Sequence, residues 1–130
     1  MKIIPTRVHG VLDYLVGAFL VLTPWVFGFW RNGAESWVPI SLGAAAIVYS
    51  LLTNYELGPV KLLSMRTHLW LDLASGVFLT LSPWIFGFSD YVYVPHVVLG
   101  LMEIAVSIMT DPNPYANAAR GHATAHSRAH

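Results

Sequence analysis

Charged residues in this chain are confined to short islands. No Asp, Glu, Lys or Arg lies between Asp13 and Arg31, between Glu35 and Glu56, or between Asp72 and Asp90, and Glu103 alone interrupts the run from Asp90 to Asp111. Each gap approaches the roughly 20 residues needed to cross a hydrocarbon layer about 30 Å thick. Inside such a layer the backbone must hydrogen-bond to itself, and apolar runs without period-two alternation do so as helices. The spacing predicts transmembrane helices near 9–29, 37–54, 68–88 and 92–110. Composition agrees: 55% apolar and 11% charged residues leave too little polar surface to wrap a soluble domain of 130 residues. The expected partner is a lipid bilayer.

The chain also repeats itself. Arg7–Trp30 aligns with Arg66–Ser89 at a constant offset of 59, with 13 of 24 positions identical. A looser match at an offset of 57 sets Gly43 on Gly100, Ser50 on Ser107 and Thr53 on Thr110. Each copy holds two spans, so both enter the membrane from the same side. The fold class expected is an all-α membrane protein of four transmembrane helices, two tandem hairpins related by a pseudo-two-fold axis along the membrane normal, unlike the inverted repeats of many transporters. Repeat one covers about 6–54 and repeat two about 65–110, within a single domain over 1–110. A cleavable leader competes for the first span because Lys2 and Arg7 precede it. The run is longer than a leader's apolar region, and a near copy recurs deep in the chain, so a retained helix is expected.

Orientation follows from the basic residues. Lys2 and Arg7, Lys61 and Arg66, and Arg120 and Arg128 fall on one side of the predicted spans, and only Arg31 on the other. By the positive-inside rule the termini and the central loop face the cytoplasm of an inner or plasma membrane. Trp25, Trp30, Trp37 and Trp84 then gather at the outer interface, where an indole buries its ring and keeps its N–H near water.

Thr23-Pro24-Trp25 and Ser82-Pro83-Trp84 are each followed closely by Phe-Gly-Phe. Each proline lacks an N–H and presses on the carbonyl four residues back, which predicts kinks in the outer third of helices one and three. The preceding hydroxyls are placed to bond back to the carbonyls of Phe19 and Phe78. On these motifs, over residues 6–110, the chain resembles the SPW-repeat family of small integral membrane proteins, with Thr23 standing in for the first serine. The resemblance implies the two-hairpin topology and no particular reaction.

Candidate chemistry lies in a duplicated pattern, Arg7, His9, Asp13 and Arg66, His68, Asp72. A spacing of four puts His and Asp on one helix face, and ionisable groups at membrane depth are costly enough to invite a functional reading. The favoured reading is a fold latch in which Arg7 pairs with Asp72 and Arg66 with Asp13. The alternative is a cluster of His9, Asp13, His68 and Asp72 that binds a divalent metal or exchanges protons. Bis-histidine haem is disfavoured, since each histidine has an acid one turn away.

Glu103 is a candidate buried acid near the middle of the fourth span, on the same face as His96 and with Ala46 at the equivalent place in repeat one. Asp111-Pro-Asn-Pro ends that span, and 111–130, with His122, His126 and His130, reads as a flexible cytoplasmic tail. Zero net charge excludes a dominant nucleic-acid footprint, and the absence of cysteine excludes thiol chemistry. No nucleophile and base are set as an enzyme needs them. An accessory or scaffold protein associating with itself or other membrane subunits is therefore expected first, and metal or proton binding or permeation second.

Overall fold

A computed structural model describes residues 2–114. Residues 115–130, with His122, His126 and His130 of the expected tail, lie outside the described residues. The protein is all-helical, with α1 (Thr6–Val26), α2 (Ala34–Leu51), α3 (Met65–Ile85) and α4 (Val94–Met109). Among the described residues there is no strand, only two isolated bridges, Ile4 with Thr110 and Thr53 with Leu63. These bridges are equivalent under the repeat offsets, and each joins the segment before one hairpin to the end of the other.

Two helices, α1 and α2, are long and apolar enough to cross a membrane. The third matches α1 at 21 residues but is less apolar, and α4 is apolar but only 16 residues long. Large apolar side chains stand outward along all four, among them Leu15, Leu22, Val48, Trp70, Leu81, Val98 and Leu101.

Packing is closest within each hairpin, α1 on α2 and α3 on α4; α2 meets α3 across the middle and α1 touches α4 lightly. Glycines set the close approach. A Cβ on Gly43 would fall 2.5 Å from the Gly17 carbonyl oxygen, and one on Gly76 would fall 2.9 Å from that of Gly100. Backbones that meet this closely gain dispersion contact without needing a hydrophobic drive. Above the glycines Leu20, Leu79, Val38 and Leu99 form a core in which Leu20 and Leu79 are fully buried.

The Pro-Trp motifs end helices. Pro24 sits in the last turn of α1, and its carbonyl accepts the N–H of Phe29 at 2.9 Å while Gly28 N–H reaches the Trp25 carbonyl. Gly28 has φ +67°, the left-handed conformation a Schellman stop requires and an L side chain resists. The second copy repeats this with Gly87 at φ +72° and Phe88 N–H on the Pro83 carbonyl at 2.8 Å. The expected kinks therefore coincide with the helix ends, because the glycine four residues after each proline lets the chain turn. Thr23 bonds back to Phe19 as expected, at 2.6 Å, whereas Ser82 bonds to Leu79 and not to Phe78. Beyond the stops, Phe29 and Phe88 turn inward against His96, and Trp25 and Trp84 remain exposed. Arg31 lies 3.4 Å over the Tyr91 ring and so ties the two hairpin turns together.

Candidate metal centre

At the opposite end from these turns the two His-Asp pairs come together. A spacing of four on α1 and on α3 aims both pairs inward, and the hairpins set them face to face. His9 Nε2 lies 2.7 Å from Asp72 Oδ2 and 3.0 Å from Asp13 Oδ1. His68 Nε2 lies 3.0 Å from Asp13 Oδ2 and 3.2 Å from Asp72 Oδ2. One donor atom from each residue fits within 4.8 Å of all the others. None of the four side chains is more than 9% exposed. His68 is fully buried, and its Nε2 is aligned as a hydrogen-bond donor to neither carboxylate, close as both are.

Every member of the quartet has an outer partner. His9 Nδ1 meets Thr110 Oγ1 at 2.8 Å and His68 Nδ1 meets Thr53 Oγ1 at 2.7 Å. Tyr55 donates to Asp13 Oδ2 at 2.9 Å and Tyr49 donates to Asp72 Oδ1. Tyr55 belongs to the α2–α3 linker, where burial and then the Asp13 charge push its phenol above the usual range, keeping the O–H in place as a donor. The linker covers the end of α1: Thr6 donates to Glu56, Tyr14 to the Leu57 carbonyl, and Tyr55 and Leu57 press on Gly10 so closely that a Cβ there would meet both at 2.8 Å.

The arginines take no part. Arg7 and Arg66 are exposed, and no ion pair among the described residues includes either. The expected latch of Arg7 with Asp72 and Arg66 with Asp13 is replaced by His9 with Asp72 and His68 with Asp13. The reason is angular: residues two positions apart on a helix are separated by about 200°, so once His9 and His68 point inward Arg7 and Arg66 point away.

Glu103 stands beside the quartet. It lines a cavity of about 50 Å3 with Asp13, Asp72, Gly17 and Ala46, and its Oε2 is buried without a hydrogen-bond partner. His96 does not line this cavity; its Nε2 donates to the Glu35 carbonyl at 2.8 Å near the hairpin turns.

Sequence reasoning singled out the quartet and missed its outer partners. Thr53 and Thr110 were marked by their match at offset 57, whereas Tyr49 and Tyr55 align with Val106 and Pro112 and carry no repeat signal. Neither a curated protein nor a solved structure matches the chain. The SPW repeat domain matches residues 7–110, a stretch that holds both hairpins, both Pro-Trp stops and all four members of the quartet. The chain belongs to the SPW repeat family.

Proposed function

We propose that this is a small multi-pass membrane protein that binds a divalent metal ion between its two hairpins. The observation that carries the reading is the convergence of His9, Asp13, His68 and Asp72, two nitrogen and two oxygen donors within 4.8 Å in a buried setting. Two imidazoles and two carboxylates make a common donor set for a four-coordinate ion. The bilayer setting is supported by the apolarity of α1 and α2, by the outward apolar side chains, and by the recurrence of the α1–α2 form in α3–α4. In this reading all four helices span, the hairpins are related by a pseudo-two-fold axis along the membrane normal, residues 1–110 form one unit, and the quartet lies near the cytoplasmic face with the termini.

Assembly with itself or with another membrane subunit draws less support. The glycines that would favour such contacts, Gly17, Gly43, Gly76 and Gly100, face each other inside the hairpins. The test is elemental analysis of detergent-purified protein beside H9A, H68A, D13N and D72N. About one metal per chain, lost in variants that keep their helical circular dichroism, is expected. Wild-type protein that binds no added divalent ion would sink the reading.

A further inference from the structure

The outer partners of the two histidines decide which ring nitrogen faces the centre. Thr53 Oγ1 lies 2.6 Å from the Tyr49 carbonyl and Thr110 Oγ1 lies 2.6 Å from the Val106 carbonyl. A carbonyl oxygen only accepts, so each threonine hydroxyl directs its single proton there. Each Oγ1 is then an acceptor toward the histidine beside it, and the proton of that contact must sit on His68 Nδ1 or His9 Nδ1. The reverse arrangement, with the threonine donating to Nδ1, would set two lone pairs face to face at 2.6 Å at both carbonyls. Both rings therefore carry a proton on Nδ1 and turn Nε2 toward the two carboxylates.

Resting on the metal-binding reading, we infer that the ion is a tetrahedral, borderline-soft cation of the zinc class, ligated through His9 Nε2, His68 Nε2, Asp13 and Asp72, with Thr53 and Thr110 as positioning residues. A buried Nε2 facing a carboxylate needs a cation between them, a proton while the centre is empty and a metal ion in its place once one binds. Once those protons leave, two neutral rings and two carboxylates carry two negative charges, which one divalent ion cancels. Around a tetrahedral centre with bonds of roughly 2.0–2.2 Å, ligand atoms stand about 3.4 Å apart. The N···O separations here run from 2.7 to 3.2 Å, with Asp13 meeting the two rings through different oxygens, and one donor from each residue fits within 4.8 Å of the others, a spread that brackets the tetrahedral edge. Two imidazoles among four donors favour zinc, cobalt or nickel over magnesium and calcium, which take six or more oxygens. The Thr–His contacts supply what metal-bound histidines ordinarily have, an acceptor on the far nitrogen that holds the ring in place. The tyrosines do the same for the carboxylates.

The experiment uses the full chain, stripped with chelator in detergent and titrated with cobalt(II). The expected result is the intense visible absorption of tetrahedral cobalt, displaced by zinc and untouched by calcium or magnesium. T53V and T110V should bind about 10–100-fold more weakly, because an isosteric valine frees the ring to carry its proton on Nε2, while T53S and T110S should restore binding. Nitrogen-15 histidine spectra of the zinc-loaded wild-type protein test the tautomer without any variant and should show Nδ1–H in both rings. A weak six-coordinate cobalt spectrum would overturn the tetrahedral assignment. Valine variants that bind like the wild type, or metal-loaded rings that lack a proton on Nδ1, would overturn the role of the threonines while leaving metal binding intact. No binding of any ion by the wild type would remove the reading beneath both.

Discussion

His9 and Asp72, 63 positions apart, meet at 2.7 Å and join the first helix of one repeat to the first helix of the other. Both side chains are almost fully buried, so each charge or dipole in the pair is answered only by the quartet and its outer shell. That makes this end of the junction between hairpins polar, while Leu20, Val38, Leu79 and Leu99 keep its other half apolar and the junctions within hairpins are built on glycine.

Removing one partner should therefore cost more than removing both. Asp72→Asn is expected to destabilise the fold by about 3–5 kcal/mol, the usual cost of leaving a buried group uncompensated. In a double-mutant cycle with His9→Gln, the two losses should not add. Unfolding followed by circular dichroism in mixed micelles measures the coupling, and additive losses would argue against a direct pair.

Gly43 and Gly28 should respond to alanine for different reasons. At Gly43 the new methyl would meet the Gly17 carbonyl at 2.5 Å and Leu20 Cβ at 2.8 Å, so Gly43→Ala should part α1 from α2 at a cost of about 1–3 kcal/mol. At Gly28 nothing lies within 4 Å of that methyl, and only the φ of +67° resists, so Gly28→Ala should cost about 1–2 kcal/mol and leave helix packing unchanged. Thermal melts rank the two, and a disulfide-trapping rate between α1 and α2 shows which one moves the helices.

Metal affinity should fall as pH falls. An ion needs the free lone pair of His9 Nε2 and His68 Nε2, and protons compete for the same atoms, so each proton displaced weakens binding about tenfold per pH unit of acidification. Isothermal titration in buffers of different ionisation enthalpy counts the protons released. Affinity that is level across the acidic range would mean that the rings are not ligands.

The chain has no cysteine, so single introduced thiols report topology without background. Cysteine at Asn32 or Asp90 should react with an impermeant maleimide from outside intact cells. Cysteine at Lys2 or Arg66 should react only after the membrane is opened. Outside labelling at Lys2 would invert the orientation.

Much of the centre was legible in the sequence. The spacing of four within each pair and the offset of 59 between pairs placed His9, Asp13, His68 and Asp72 at one level, and the fold brings them together. The arginines were misread because Arg7 and Arg66 are two residues from the histidines, a separation that looks close in sequence and is nearly opposite on a helix. The Pro-Trp motif was read as a kink supported by its hydroxyl, although Gly28 and Gly87 already offered the left-handed residue that ends a helix. Tyr49 and Tyr55 were beyond reach: Tyr49 finds Asp72 through the packing of α2 on α3, Tyr55 finds Asp13 through the path of the linker over α1, and no periodicity encodes either.

The glycine-lined hairpin is a complete packing unit, yet it carries only half of the quartet. A polypeptide with one hairpin would have to pair with its twin to own four donors, and the two halves would then be bound to stay identical. Joining them in one chain lifts that constraint, since a change on one side no longer appears on the other. The unmatched residues around the centre, Glu103 opposite Ala46 and Tyr49 opposite Val106, are where that freedom has been used.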